Sequence, residues 1–196
     1  MQAGVDNLLD IKRLSAHKIK DILNIAPSSI GTSSPAREFE LREIIENSQH
    51  YNRLIKTAEQ QIDELMADIK SVITTVTGIG NRLGAVILAE MRNSHTFDNP
   101  AQLQAFADLE LAIYQSGQME MTGKTVKRGP PHLRWALLQA AKACTRYSPS
   151  FRQYLKLKLA QGKYYNVAIT HVAKKLIRVI FYLLKNNCPF DENKLS

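Results

Sequence analysis

The residues best suited to covalent chemistry fall in one stretch, Tyr114-Gln115-Ser116-Gly117, followed by Gly123-Lys124-Thr125-Val126-Lys127-Arg128-Gly129. A serine beside a glycine in an extended segment presents its hydroxyl without steric cover. Lys124, Lys127, Arg128 and Arg134 would surround it with positive charge. That combination suits attack on a phosphodiester, because negative charge builds on the phosphoryl oxygens in the transition state. The serine also needs a proton acceptor. The local sequence names none, and His132 is the nearest candidate. On local sequence alone such a serine is more often an ordinary loop residue. Tyr114 lies on the same face if the segment is a strand, as a rival nucleophile or as packing.

A second motif, Val76-Thr77-Gly78-Ile79-Gly80, sits between two expected helices. Its form is that of a helix-hairpin-helix: Gly78 and Gly80 permit the tight turn, and free backbone N–H groups at the next helix start can hold a phosphate. Arg82 would add charge there. Gly-x-Gly alone is a weak signal, since any helix turn needs glycine. Metal chemistry finds no support. The five histidines, at 17, 50, 95, 132 and 171, include no i,i+4 pair, the acids of the basic half are scattered, and Cys144 and Cys188 make neither a ligand set nor a disulfide framework.

The elements that must position these residues read as mainly α. Residues 5–25 form one broken or two short helices, with Ser15 as an N-cap, and a polar loop leads to the helix start at Ser34-Pro35. A strict heptad follows. Leu41, Ser48, Ile55, Ile62 and Ile69 occupy one seam position; Ile44, Tyr51, Ala58, Leu65 and Val72 occupy the other. Neither proline nor glycine interrupts Ala36 to Thr77. A helix of about 40 residues, ~60 Å long, is too long for a small domain to cover, so a coiled coil and a homo-oligomer are expected. Further helices are expected from Arg82 to Arg92, Ala101 to Ala107, Pro131 to about Tyr147, Ser148 to before Gly162, and about Tyr165 to Asn186. Residues 109–128 alternate apolar and polar with recurring glycines, which suggests a small extended or hairpin insertion. The expected domains are 1–34 (short helices and loop), 35–76 (coiled coil), 77–190 (compact helical domain) and 191–196 (tail).

Charge points to a partner. Residues 1–70 hold 9 Lys/Arg against 11 Asp/Glu, whereas residues 71–196 hold 17 against 7. Met121 to Phe190 contains 14 Lys/Arg and no Asp or Glu. Such self-repulsion would be relieved by a polyanion, which releases its counterions on binding. Neither a secretory signal nor an apolar run near the ~20 residues of a membrane span is present, so a cytoplasmic, nucleoid-associated protein without membrane contact is expected.

The blocks TVTGIGNRLGAVILAEM, QLQAFADLELAIYQSG, GKTVKRGPPHLRWALLQAA and VAITHVAKKLIRVIFYLLKNN, in that order, resemble the C-terminal domain of the IS-one-ten family of insertion-sequence transposases and related DNA invertases. The resemblance spans about residues 72–190. It implies a DNA recombinase whose serine, Ser116 here, attacks DNA and becomes covalently attached to it. It implies phosphate contacts at Lys127, Arg128 and Arg134, a structured guide RNA beside DNA, and Mg²⁺ held by an acidic RuvC-like domain rather than by this chain. The heptad helix matches the family's layout, in which a coiled coil separates two catalytic domains. The expectation is therefore the serine half of a transposase, as a truncated frame or an excised fragment, inactive without the acidic domain. The alternative is a non-enzymatic nucleic-acid-binding and dimerisation module. The chain departs from the family pattern where Asp108-Leu109-Glu110-Leu111 stands in place of Gly-Leu-x-Pro, and where Val126 precedes Lys127-Arg128-Gly129.

Overall fold

A computed structural model describes residues 15–28, 34–93, 96–109, 111–116, 119–125 and 129–195; the side chains of Ala16 and of residues 111–125 are not part of that description. The chain divides into two units, Met1–Arg53 and Leu54–Ser196. The first holds helix α1, Ala16–Ile25, and the start of α2, Pro35–Ile69. Ser15 caps α1 as expected, its side chain accepting from the Lys18 amide. Residues 5–14 lie outside the described set.

The second unit begins within α2. This helix ends at Ile69, short of the expected Thr77. Lys70 turns to φ 49°, and the Ser71 side chain accepts from the Ile73 amide to open a 3-10 turn, Val72–Thr75. The reason lies in the run Val72-Ile73-Thr74-Thr75: four β-branched residues resist helix, and the turn drives Ile73 and Val76 into the core. Val72 therefore leaves the heptad. Of the remaining seam residues, Leu41, Ile44, Tyr51, Ile55, Leu65 and Ile69 are exposed, whereas Ile62 packs partly buried against the core; Met66 is the buried residue of α2.

The other helices follow the sequence closely: α3 Asn81–Met91, α4 Pro100–Phe106, α5 Pro131–Tyr147, α6 Pro149–Ala160 and α7 Tyr165–Asn186. Asn99 caps α4 through the Gln102 amide, and Ser148 caps α6 through the Phe151 amide. The core lies where α5 and α7 cross, with α3, α4 and α6 around them. Leu133, Leu137, Ala140 and Ala141 of α5 meet Val172, Ala173, Leu176, Ile177 and Ile180 of α7 in one fully buried cluster. Apolar residues at helical spacing supply it, and small alanines allow close approach. Gly84 brings α3 against Met66 and Ile73: a Cβ there would lie 3.3 Å from Met66 Cε and 3.2 Å from Ile73 Cγ2.

Residues 191–195, set apart by sequence as a tail, dock on this core. Leu195 is buried, and the Glu192 carboxylate accepts from Ser148 Oγ at 2.6 Å and the Ser150 amide at 2.8 Å, at the start of α6. Between α4 and α5, strands β1 (Leu111–Ser116) and β2 (Met119–Thr125) pair antiparallel, with an irregularity between Leu111 and Ile113. The molecule is mainly helical. Among the described residues, no helix is long and apolar enough to cross a membrane.

Candidate nucleic-acid interface

The sequence motifs occupy three separate places. The first is the turn before α3. Gly78 adopts φ +101°, and a Cβ there would lie 2.8 Å from Ala143 C and 2.8 Å from Cys144 N, both backbone atoms of α5. Glycine is required here for packing. The element before the turn is the four-residue 3-10 turn rather than a full helix. Gly80 precedes α3 with open space around it and gives the helix no side-chain cap. Facing that helix start are two acids from α2. Arg82 pairs with Glu59, and Asn81 Nδ2 donates to Asp63 Oδ1 at 2.8 Å. Glu59 and Asp63 thus line the same shallow cleft as Gly80, Asn81 and Arg82. A phosphate approaching this turn meets carboxylates of the protein itself.

The second place is the ribbon. Its foot is fixed: Leu109 is buried, and a Cβ on Gly129 would overlap the Phe106 carbonyl oxygen and lie 3.0 Å from Asp108 Cβ. Ser116 pairs with Met119 at the far end, whereas Leu111 pairs with Thr125 nearer the foot. Strand geometry separates Leu111 from Ser116 by roughly 17 Å. Lys124 lies on β2. The side chains of Tyr114, Ser116 and Lys124, and Lys127 and Arg128 altogether, lie outside the described residues.

The third place, at the foot of the ribbon, was only half visible in the sequence. Asp108 ends α4 at φ 55°, the left-handed conformation that glycine adopts freely and Asp tolerates. This is the position where the resembled family has glycine. Its carboxylate meets Arg134, in the first turns of α5, at 2.7 Å; their side chains are 7% and 18% exposed. Arg134, expected to face a phosphate, is therefore held by an internal carboxylate. Beside this pair a cleft of about 250 Å³ opens between α5 and α7, lined also by Asn166, Thr170, His171 and Lys174. Burial first, and then Lys163, Lys158 and Lys174, hold His171 below the ordinary histidine value. His132, the base nearest in sequence, is exposed in the first turn of α5.

Sequence reasoning did not single out Asn166, Thr170, His171 or Lys174. The available signal was the i,i+4 series 166, 170, 174, a polar line along one side of an amphipathic helix. Among the described residues, no group of three or more His, Cys, Asp or Glu could hold a metal ion. They do not form the ligand set that Mg²⁺ would need.

Comparison with known proteins gives this geometry a context. Residues 70–156 match the family model described as Transposase IS116/IS110/IS902 family. The chain is 28% identical over 138 residues to the insertion element IS110 uncharacterized 43.6 kDa protein of Streptomyces coelicolor, covering 69% of this chain and 34% of that protein. It is 25% identical over 156 residues to the pilin gene-inverting proteins of Moraxella bovis and Moraxella lacunata, in each case covering 75% of this chain and 48% of the relative. The chain thus spans a third to a half of the length of these relatives.

Proposed function

We propose that this chain is the C-terminal, serine-bearing half of a DNA transposase or site-specific recombinase of the IS116/IS110/IS902 type. The observation that carries this reading is the family match over residues 70–156, a segment that includes the ribbon and Ser116. The acid-free basic stretch Met121 to Phe190 supports a polyanionic partner. DNA is that partner, with a structured guide RNA beside it.

In this reading the Ser116 hydroxyl attacks a DNA phosphodiester. A serine oxygen–phosphorus bond forms, and the bond from phosphorus to one bridging oxygen breaks. The hydroxyl proton passes to an acceptor, and the released DNA oxygen takes up a proton. Lys124, Lys127 and Arg128 contact phosphates, whereas Arg134 is held by Asp108. Arg82, with the backbone about Gly78 and Gly80, forms a lesser contact because Glu59 and Asp63 compete for it. The exposed seam of α2 joins two copies in a coiled coil. Mg²⁺ belongs to a RuvC-like acidic domain outside the described residues, where it would stabilise the charge on the reacting phosphate.

The test is covalent trapping. Purified chain is combined with element-end DNA, guide RNA, Mg²⁺ and a separately supplied acidic domain, then run on a denaturing gel beside Ser116→Ala. A denaturation-resistant protein–DNA adduct that disappears in the variant is expected. If DNA binding persists without an adduct while a full-length relative reacts under the same conditions, the chain is a binding and dimerisation module instead.

A further inference from the structure

The corner between α6 and α7 departs three times from what folding alone would select. Tyr164 is the N-cap of α7, yet its side chain caps nothing and is 86% exposed. Ser, Thr, Asp or Asn in that place would satisfy a free amide and stabilise the helix start. The first turn of α7 holds no acid, although the helix dipole favours one there. Tyr165, the next residue, is also exposed. An aromatic ring in water gives up the burial that makes it worth having, so two adjacent exposed rings at a helix start need a reason outside the local fold.

The surroundings supply a charge of one sign. Lys158 closes α6, Lys163 precedes the tyrosines, and Lys174 lines the cleft two to three turns further along α7; all three act on His171. Asn166, two residues after Tyr164, lines that same cleft. The carboxylate in the cleft, Asp108, is already committed to Arg134. Exposed aromatic faces beside lysines and unsatisfied helix amides fit a ligand carrying both flat rings and phosphates.

We propose that this corner is a stacking site for unpaired nucleotides: Tyr164, with Tyr165 beside it, takes base faces, while Lys163 and Lys174 hold the adjoining phosphates. The inference deepens the nucleic-acid reading above and rests on it. A base inside a duplex is stacked on its neighbours and leaves no face for a tyrosine, so the site discriminates single strands from duplex. Sequence preference is weak, because every base has a π-face.

The full chain is titrated by fluorescence anisotropy with labelled oligothymidylate, oligouridylate and a duplex of matched length. Tyr164→Ala, Tyr165→Ala and Tyr164→Phe are run in parallel. Because Tyr164 is exposed, its replacement leaves the fold intact, which circular dichroism checks. Tyr164→Ala weakens single-strand binding by about 5- to 100-fold and duplex binding by less than about two-fold, while Tyr164→Phe keeps the wild-type affinity. A loss confined to thymidylate assigns the site to a DNA strand, and one confined to uridylate assigns it to RNA. Single-strand affinity unchanged in both alanine variants, or an equal loss on duplex, overturns the stacking site and leaves the nucleic-acid reading standing. A lower oligomeric mass in Tyr164→Ala with single-strand affinity intact overturns it in favour of a contact between copies. Wild-type chain that binds none of the three probes at low salt overturns both.

Discussion

The starts of α3 and α5 each carry an arginine, and the protein treats the two in opposite ways. At the turn before α3, Arg82 lies in the open, and its partner Glu59 reaches it from α2. At the start of α5, Arg134 is half-buried against the buried Asp108, and the cleft beside that pair is otherwise lined by neutral or cationic groups. The sequence offered both as phosphate contacts, the first because glycines before a helix signal a phosphate turn and the second through the family resemblance. The first site's glycine proves to be demanded by the α5 backbone, and its helix start faces acids. The lesson is that a phosphate site is defined by what faces the helix start as much as by the residues of the turn.

The strongest test of this contrast is on stability. Arg134→Ala leaves the Asp108 carboxylate buried without its partner, and a loss of about 3–5 kcal/mol is expected in urea unfolding. Glu59→Ala breaks a solvent-screened pair and should change stability by under about 1 kcal/mol. Equal effects would erase the distinction between the two sites. Next in size, Gly78→Ala forces a Cβ onto the Ala143 and Cys144 backbone at a positive φ, with an expected cost of about 2–4 kcal/mol. Gly80→Ala, with open space around it, should be close to neutral. Thermal unfolding of the two alanine variants checks this. If they melt together, Gly78 is not the packing residue the geometry makes it.

The helices were legible because their signals are local. Apolar spacing, Asn99 and Ser148 as caps, and the prolines at 100, 131 and 149 marked α4, α5 and α6 to within about a residue. The end of α2 was not legible from the absence of proline and glycine. Its break comes from a β-branched run whose side chains are needed in the core, a tertiary demand that overrides local helix preference. The cleft was hidden for a related reason. Arg134 and Lys174 are 40 positions apart in the chain, and only the crossing of α5 and α7 brings them to one opening. Asp108 stood out as a departure from a family pattern, but its contact with Arg134 crosses 26 residues and could not be read from spacing. Ser116 is proposed on resemblance, since a serine beside a glycine in an extended segment is by itself a weak local signal.

The most direct test of which surface meets nucleic acid is the salt dependence of single-strand binding, compared between Lys174→Gln and Arg82→Gln. Removing one cation that touches a single-strand phosphate reduces the slope of log affinity against log salt by about 0.7. The account predicts that Lys174→Gln lowers the slope by about that amount, while Arg82→Gln, removing a cation that Glu59 already neutralises, leaves it unchanged. A slope that falls for Arg82→Gln and holds for Lys174→Gln would contradict it and return the phosphate site to the glycine turn.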